Sequence, residues 1–199
     1  MILSGTPGTG KTIFALEFLY NGANKFAEPG VYVTLEQSPQ ELISQAKDFG
    51  WNLDVLQKQG KIEFVVIPVT EGEKINIFES IKKTVEKIKA KRLVIDSLSI
   101  MSIVTSSFII PFKTAYAEKE LSGTKFEYSL SRMLTGSEEK RFIYSFLNLL
   151  KDFHTTNLLI TDAPYNGEYL TRDQVSEFAC DGLLLLRLIL VSEQQHRAR

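Results

Sequence analysis

A glycine-rich run at residues 5–12 limits the possible folds of this chain more than any other part of its sequence. The run reads Gly-Thr-Pro-Gly-Thr-Gly-Lys-Thr and fits the pattern G-x-x-x-x-G-K-[ST], in which a loop between a strand and a helix wraps around phosphate groups. Glycines let the backbone curl so that successive N–H groups point at one anion without Cβ clashes. The following helix adds the positive end of its dipole. The loop is therefore predicted to bind a nucleoside triphosphate.

The residues of this loop are expected to hold both the triphosphate and its metal ion. Lys11 can reach the β- and γ-phosphates, and the Thr12 hydroxyl can ligate Mg²⁺. Residues 2–4 are typical of the end of a strand and residues 12–19 of a helix. The predicted buried face of that helix consists of Phe14, Phe18 and Leu19. The predicted nucleotide-binding residues are Gly5, Thr6, Pro7, Gly8, Thr9, Gly10, Lys11 and Thr12.

Strand-like and helix-like segments alternate along the rest of the chain. Apolar or β-branched runs predict strands at residues 31–36, 62–67, 92–97, 157–162 and 183–191. Helical spacing or capping signals predict helices at residues 38–49, 77–88, 138–153 and, as a short turn, 175–179. This alternation favours an α/β fold, with a mainly parallel sheet and helices on both of its faces.

The domain organisation predicted for the 199 residues is a single domain, because no linker or repeat interrupts them. At most three strand residues precede Gly5, and the chain stops in a polar run after an apolar strand. A central strand usually has about five or six residues. We therefore expect a fragment of a longer domain that is truncated at both ends.

Composition narrows the classes of partner and compartment. The formal net charge of −1 gives no general attraction to nucleic acid or to an anionic membrane. The most apolar run, residues 183–191, is interrupted by Arg187 and is too short to span a bilayer. The single cysteine, Cys180, rules out an internal disulfide and fits a reducing cytosol. We expect a cytoplasmic protein without membrane contact.

Three acids end predicted strands, and the carboxyl ends of parallel strands face the ligand crevice in such sheets. Asp96 is predicted to hold Mg²⁺ together with Thr12, often through water. Glu36 is predicted to accept a proton from the water that attacks the γ-phosphate, with Lys11 as the second catalytic residue. Asp162 should also lie near the phosphates and is predicted as a further nucleotide-binding residue. The alternatives are that Asp96 caps the next turn and that Glu36 is a helix cap or a surface residue.

Six segments together give the chain a family resemblance. They are Gly5 to Thr12, Val31 to Glu36, Ser38-Pro39, Phe49-Gly50-Trp51, Leu93 to Ser97 and Glu177 to Gly182. With them the chain resembles a KaiC-like ATPase of the RecA superfamily over nearly its whole length. The resemblance implies a RecA-type α/β core, ATP and Mg²⁺ as ligands, and ring-shaped homo-oligomers, often hexamers, with ATP at the protomer interface. It also matches Glu36 to the glutamate that activates water.

The chain departs from the family pattern at several positions. Gln37 follows Glu36 where the family often has a second acid, and residues 105–137 resemble an insertion. Asp162 stands where a longer polar side chain usually senses the γ-phosphate, and its charge would repel phosphate unless Mg²⁺ or an arginine neutralises it. The basic residues that reach a neighbour's ATP would lie beyond Arg199. Because such groups are worth about 10³–10⁵ in rate in GTPases, we expect slow hydrolysis by this chain alone.

Three functions fit the sequence. The first is an ATPase whose hydrolysis drives or times a conformational cycle in an oligomer. The second is a DNA-binding recombinase-like filament protein, which is disfavoured because basic and acidic residues nearly balance in the two loops at 105–141 and 162–172. The third is a nucleotide-gated scaffold with little turnover, whose protein interface would be the uncharged residues 97–112 unless these are buried in the core.

Overall fold

The computed structural model describes residues 1–68, 76–103, 138–164 and 169–189. The strands are β1 (Ile2–Gly5), β2 (Gly30–Thr34), β3 (Ile62–Val66), β4 (Arg92–Asp96), β5 (Thr156–Asp162) and β6 (Leu183–Leu186). The helices are α1 (Lys11–Lys25), α2 (Pro39–Asp48), α3 (Leu53–Lys58), α4 (Ile77–Ile88), α5 (Leu98–Ile103), α6 (Glu138–Leu150) and α7 (Ser176–Ala179), with a 3₁₀ turn at Lys151–Phe153. The predicted insertion at 105–137 and the polar run at 192–199 lie outside the described residues.

The six strands form one sheet in the order β3-β2-β4-β5-β1-β6, and every neighbouring pair is parallel. The register aligns Gly5 with Asp162 and Thr34 with Asp96. The predicted site residues therefore lie on one side of the sheet, the side formed by the carboxyl ends of its strands, which is called the carboxyl edge below. This architecture confirms the predicted α/β fold with a parallel, RecA-like sheet.

Helices cover both faces of the sheet, because successive side chains of each strand point to opposite sides. One face packs against α4, α5 and α6 and includes Val31, Val33, Ile95, Ile81 and Phe146. The other packs against α1, α2 and α3 and includes Leu3, Tyr32, Val94, Leu16 and Leu42. Buried strands with apolar residues on both faces explain the nearly continuous apolar runs in the sequence. Each helix in the described ranges is too short or too polar to span a bilayer.

The buried face of α1 differs from the prediction. Leu19 is buried as expected, but Phe18 is only half-buried and the Phe14 side chain is 38% exposed. The buried stripe consists of Ala15, Leu16, Leu19, Gly22 and Ala23. These residues are small or aliphatic, so the helix axis can approach the sheet closely. The predicted face was wrong at Phe14, because the buried stripe follows the i, i+4 spacing of Ala15, Leu19 and Ala23.

The start of α2 agrees with the sequence. Ser38 is the N-cap, Pro39 begins the helix, and Ser38 and Glu41 form a reciprocal capping box. The Ser38 hydroxyl accepts a hydrogen bond from the backbone N–H of Glu41 at 3.3 Å, and the Ser38 N–H donates to Glu41 Oε2 at 2.7 Å. This box fixes where the chain leaves the turn after β2, which carries Glu36.

Candidate nucleotide-binding site

The loop between β1 and α1 is curled tightly by its glycines. Gly8 and Gly10 have φ angles of +83° and +86°, a region that side chains other than glycine rarely adopt. A Cβ at Gly5 would lie 2.5 Å from Thr9 Oγ1 and 2.9 Å from the carbonyl oxygen of Leu186. The Thr9 hydroxyl donates to the carbonyl of Thr6 at 2.8 Å and fastens the bend. The sequence spacing of the glycines thus follows from the shape of the loop.

The loop delivers the chain directly into α1. Gly10 is the N-cap residue and provides no side-chain cap, and its carbonyl accepts the first helical hydrogen bond from Phe14 N–H at 2.9 Å. The first N–H groups of the helix therefore have no capping side chain and point towards the loop. Backbone donors and the helix dipole together suit a phosphate group.

The Lys11 side chain packs against the backbone of this loop. Its Nζ lies 2.7 Å from the Gly5 carbonyl oxygen, 3.2 Å from the Thr6 carbonyl oxygen and 3.1 Å from Asp162 Oδ1. The lysine side chain is 11% exposed and that of Asp162 is 34% exposed. The charge of Asp162, which we expected to need Mg²⁺ or an arginine, is therefore balanced in this structure by Lys11.

Asp96, at the end of β4, receives two hydrogen bonds on one carboxylate oxygen. The Thr12 hydroxyl donates to Oδ2 at 3.0 Å, and the Tyr32 hydroxyl donates to the same oxygen at 2.6 Å. A hydroxyl and a carboxylate in contact are oxygen donors of the kind that Mg²⁺ uses when phosphates and waters complete its shell. The described residues contain no cluster of three His, Cys, Asp or Glu that would hold a metal by themselves. The donor set fits a Mg²⁺ that arrives with a nucleotide.

Burial and nearby charges shift the acidity of the groups around Asp96. Burial raises the pKa of Asp96, while the hydrogen bonds from Tyr32 and Thr12 and the charge of Lys11 oppose that rise. Burial, and then the negative charge of Asp96, raise the pKa of Tyr32 well above its usual value, so its hydroxyl stays a proton donor. The carboxylate is held in a partly desolvated setting where a cation is favourable.

Glu36 lies two residues beyond the end of β2, at the same edge of the sheet. The Thr34 hydroxyl donates to the Gln37 carbonyl at 2.8 Å and accepts from the Gln37 N–H at 3.0 Å, which holds the turn around Glu36. Burial, followed by the charges of Asp96 and Asp162, raises the pKa of Glu36, and Lys11 opposes this. Glu36 therefore shares one electrostatic environment with Lys11, Asp96 and Asp162, although their roles stay predictions.

Sequence reasoning missed three side chains that shape this site. The sequence places Tyr32 and Thr34 in a strand and gives neither a role in the site, and Ser99 lies in an uncharged segment without a periodic pattern. The Ser99 hydroxyl accepts a hydrogen bond from the Asp162 N–H at 2.8 Å and lies 3.3 Å from Thr161 Oγ1. The alternation of β2 places Tyr32 on the α1 face, but only the pairing of β2 with β4 brings its hydroxyl to Asp96.

Comparisons with known proteins find relatives of this chain. The model of a protein family described as "ATPase: KaiC" matches residues 1–109, more than half of the chain. The circadian clock oscillator protein KaiC of Synechococcus elongatus is 32% identical over 98% of this chain, and that of Thermosynechococcus vestitus is 33% identical over 98%. The chain spans only 34% of the length of either relative.

A solved structure is also similar over most of its length. The crystal structure of a KaiC-like protein from the hyperthermophilic archaeon Pyrococcus horikoshii OT3 has a TM-score of 0.67 and 30% sequence identity. The match covers 92% of this chain and 68% of that protein.

Proposed function

Because this chain belongs to the KaiC family of ATPases, we propose that it binds ATP with Mg²⁺ at the loop of residues 5–12 and hydrolyses the γ-phosphate bond. The hydrolysis would drive a conformational or regulatory cycle in an oligomer. The observation that carries the proposal is the 3.0 Å hydrogen bond between the Thr12 hydroxyl and Asp96 Oδ2. It joins the loop to the carboxyl end of β4, two strands away from β1 in the sheet, at the place where a metal-bound triphosphate needs oxygen ligands.

In this proposal the loop binds the phosphates. Backbone N–H groups of the curled loop and of the start of α1 donate to phosphate oxygens, and Lys11 adds a positive charge. Thr12 and Asp96 would hold Mg²⁺, which when bound neutralises charge on the phosphate oxygens. Positioning and charge stabilisation supply most of the catalysis in phosphoryl transfer, so these contacts are the main contribution of the chain.

Glu36 supplies the base. Its carboxylate would accept the proton of the attacking water, and the Thr34–Gln37 hydrogen bonds would limit how far the turn can move. A raised pKa brings a carboxylate closer to the ambient pH, which is where a general base works best. Its neighbours Asp96 and Asp162 contribute to that rise, so the same cluster that attracts the cation tunes the base.

Single-turnover hydrolysis of ATP tests this assignment. We expect Glu36→Gln to slow the chemical step about 10²- to 10⁴-fold with little change in ATP affinity, because only proton acceptance is lost. Glu41→Gln is the matched control, since glutamine still completes the capping box at Ser38. Lys11→Ala is expected to lose ATP binding itself. Equal single-turnover rates in wild type and Glu36→Gln would contradict the base assignment and favour the nucleotide-gated scaffold.

The assembly in this proposal is a homo-oligomeric ring with ATP at the protomer interface. Its support is the family resemblance together with membership of the family. Native mass measurement with and without Mg-ATP is the direct test, and we expect Mg-ATP to shift the mass towards a closed ring. A monomer under both conditions, at concentrations that saturate ATP binding, would contradict the ring.

A further inference from the structure

Tyr32 occupies a core position of β2 but places a polar atom at the site. Its side chain has no exposed surface, and its ring lies 6.0 Å from that of Phe64, centroid to centroid. Phenylalanine would fill the same space, so packing alone does not require the hydroxyl. That hydroxyl reaches Asp96 Oδ2 at 2.6 Å, the short distance typical of a hydroxyl that donates to an ionised carboxylate.

The two carboxylate oxygens of Asp96 differ in their hydrogen-bond partners. Oδ2 accepts hydrogen bonds from both Thr12 and Tyr32. Oδ1 accepts no hydrogen bond from the described residues, and it is not fully buried. One oxygen is thus anchored by donors on two different elements, α1 and β2, while the other stays accessible at the edge of the sheet.

We propose that Tyr32 is a positioning residue for a divalent cation, because its hydroxyl fixes the Asp96 carboxylate by Oδ2 and leaves Oδ1 for the metal or a metal-bound water. This inference rests on the proposed function, since it concerns the same nucleotide site. The terminal torsion of an aspartate is broad, so an unanchored carboxylate samples many orientations. Tyr32 lies on β2, which pairs with β4 directly, and a rigid strand holds its hydroxyl more firmly than a loop would.

A structural reading of the same contact predicts a different result. If Asp96 only satisfies a buried phenol, removing the hydroxyl changes the free energy of unfolding and leaves metal binding alone. If Tyr32 positions the carboxylate, its removal weakens metal binding in the folded protein. The two readings therefore separate in a metal-affinity measurement rather than in an activity assay.

The experiment measures Mn²⁺ binding in the presence of a non-hydrolysable ATP analogue, by the loss of the free-ion electron paramagnetic resonance signal. We expect Tyr32→Phe to weaken Mn²⁺ binding about 10- to 100-fold, the usual effect of removing a hydrogen-bond partner of a metal ligand. Binding of the analogue in EDTA should not change, because the phosphate loop is intact. Tyr20→Phe is the matched control, since this phenol lies on α1 and stacks on Trp51 away from Asp96.

Unchanged Mn²⁺ affinity in Tyr32→Phe would overturn this inference, whatever the stability of the variant. Asp96→Asn separates that failure from failure of the proposed function. Asp96→Asn should lose most of the nucleotide-dependent Mn²⁺ binding, because a metal ligand is removed. Full retention of binding in Asp96→Asn, or no Mn²⁺ binding with the analogue in wild type, would overturn both the metal site and the role of Tyr32.

Discussion

Lys11 uses its whole donor capacity within the chain. An ammonium group has three N–H donors, and Lys11 Nζ has three acceptors, which are the carbonyls of Gly5 and Thr6 and the carboxylate of Asp162. Phosphate oxygens can therefore reach this lysine only by replacing one of those partners. The partner at risk is Asp162, because its oxygen carries the charge that a phosphate would replace.

Removing the charge of Asp162 should strengthen nucleotide binding. A partly exposed ion pair of this kind is worth up to about 1 kcal/mol, so Asp162→Asn is expected to raise ATP affinity about two- to fivefold. Isothermal titration at two salt concentrations measures the effect, which should shrink as salt screens the pair. Asp152→Asn removes the same charge at the opposite edge of the sheet and is the control. Weaker binding by Asp162→Asn would instead make Asp162 a nucleotide ligand, as the sequence predicted.

At the scale of elements, features set by neighbouring residues could be predicted from the sequence, and features set by distant residues could not. The capping box at Ser38 and the glycine loop are read from neighbouring residues, and both occur as predicted. The strand predicted at 31–36 ends at Thr34, because the Thr34 hydroxyl bonds the Gln37 backbone and turns the chain. α3 and α5 have six residues each, too few to show a helical period, and were missed.

The residues of the candidate site also differ in whether the sequence alone could predict them. Lys11 and Thr12 follow from a local motif, and Glu36, Asp96 and Asp162 from the rule that strand ends share an edge. Tyr32 and Asp96 are 64 positions apart, and their contact depends on β2 lying beside β4. A single sequence gives no strand order, so this contact had no signal that could be read in advance.

In the whole molecule, the two ends of the parallel strands have different roles. The candidate site lies at the carboxyl ends of the strands, and Arg92 joins several elements at the amino ends. Its Nε lies 2.7 Å from Glu28 Oε2, and its Nη1 donates to the Phe18 carbonyl at 2.6 Å. The guanidinium also lies over the rings of Phe18 and Phe26, at 4.6 and 5.3 Å. One side chain thus joins α1, the turn before β2 and β4.

Because these contacts lie away from the nucleotide loop, stability and ligand binding should separate. The Arg92 side chain is 15% exposed, and Arg92→Ala leaves the Phe18 carbonyl without its charged donor, so we expect a loss of about 2–4 kcal/mol in the free energy of unfolding. Urea denaturation measures that loss, and ATP affinity of the folded variant should not change. Arg92→Lys keeps the charge but not the planar fork, so its loss should be intermediate. A parallel loss of ATP affinity would show that the two edges of the sheet are coupled, since no described contact of Arg92 reaches the loop.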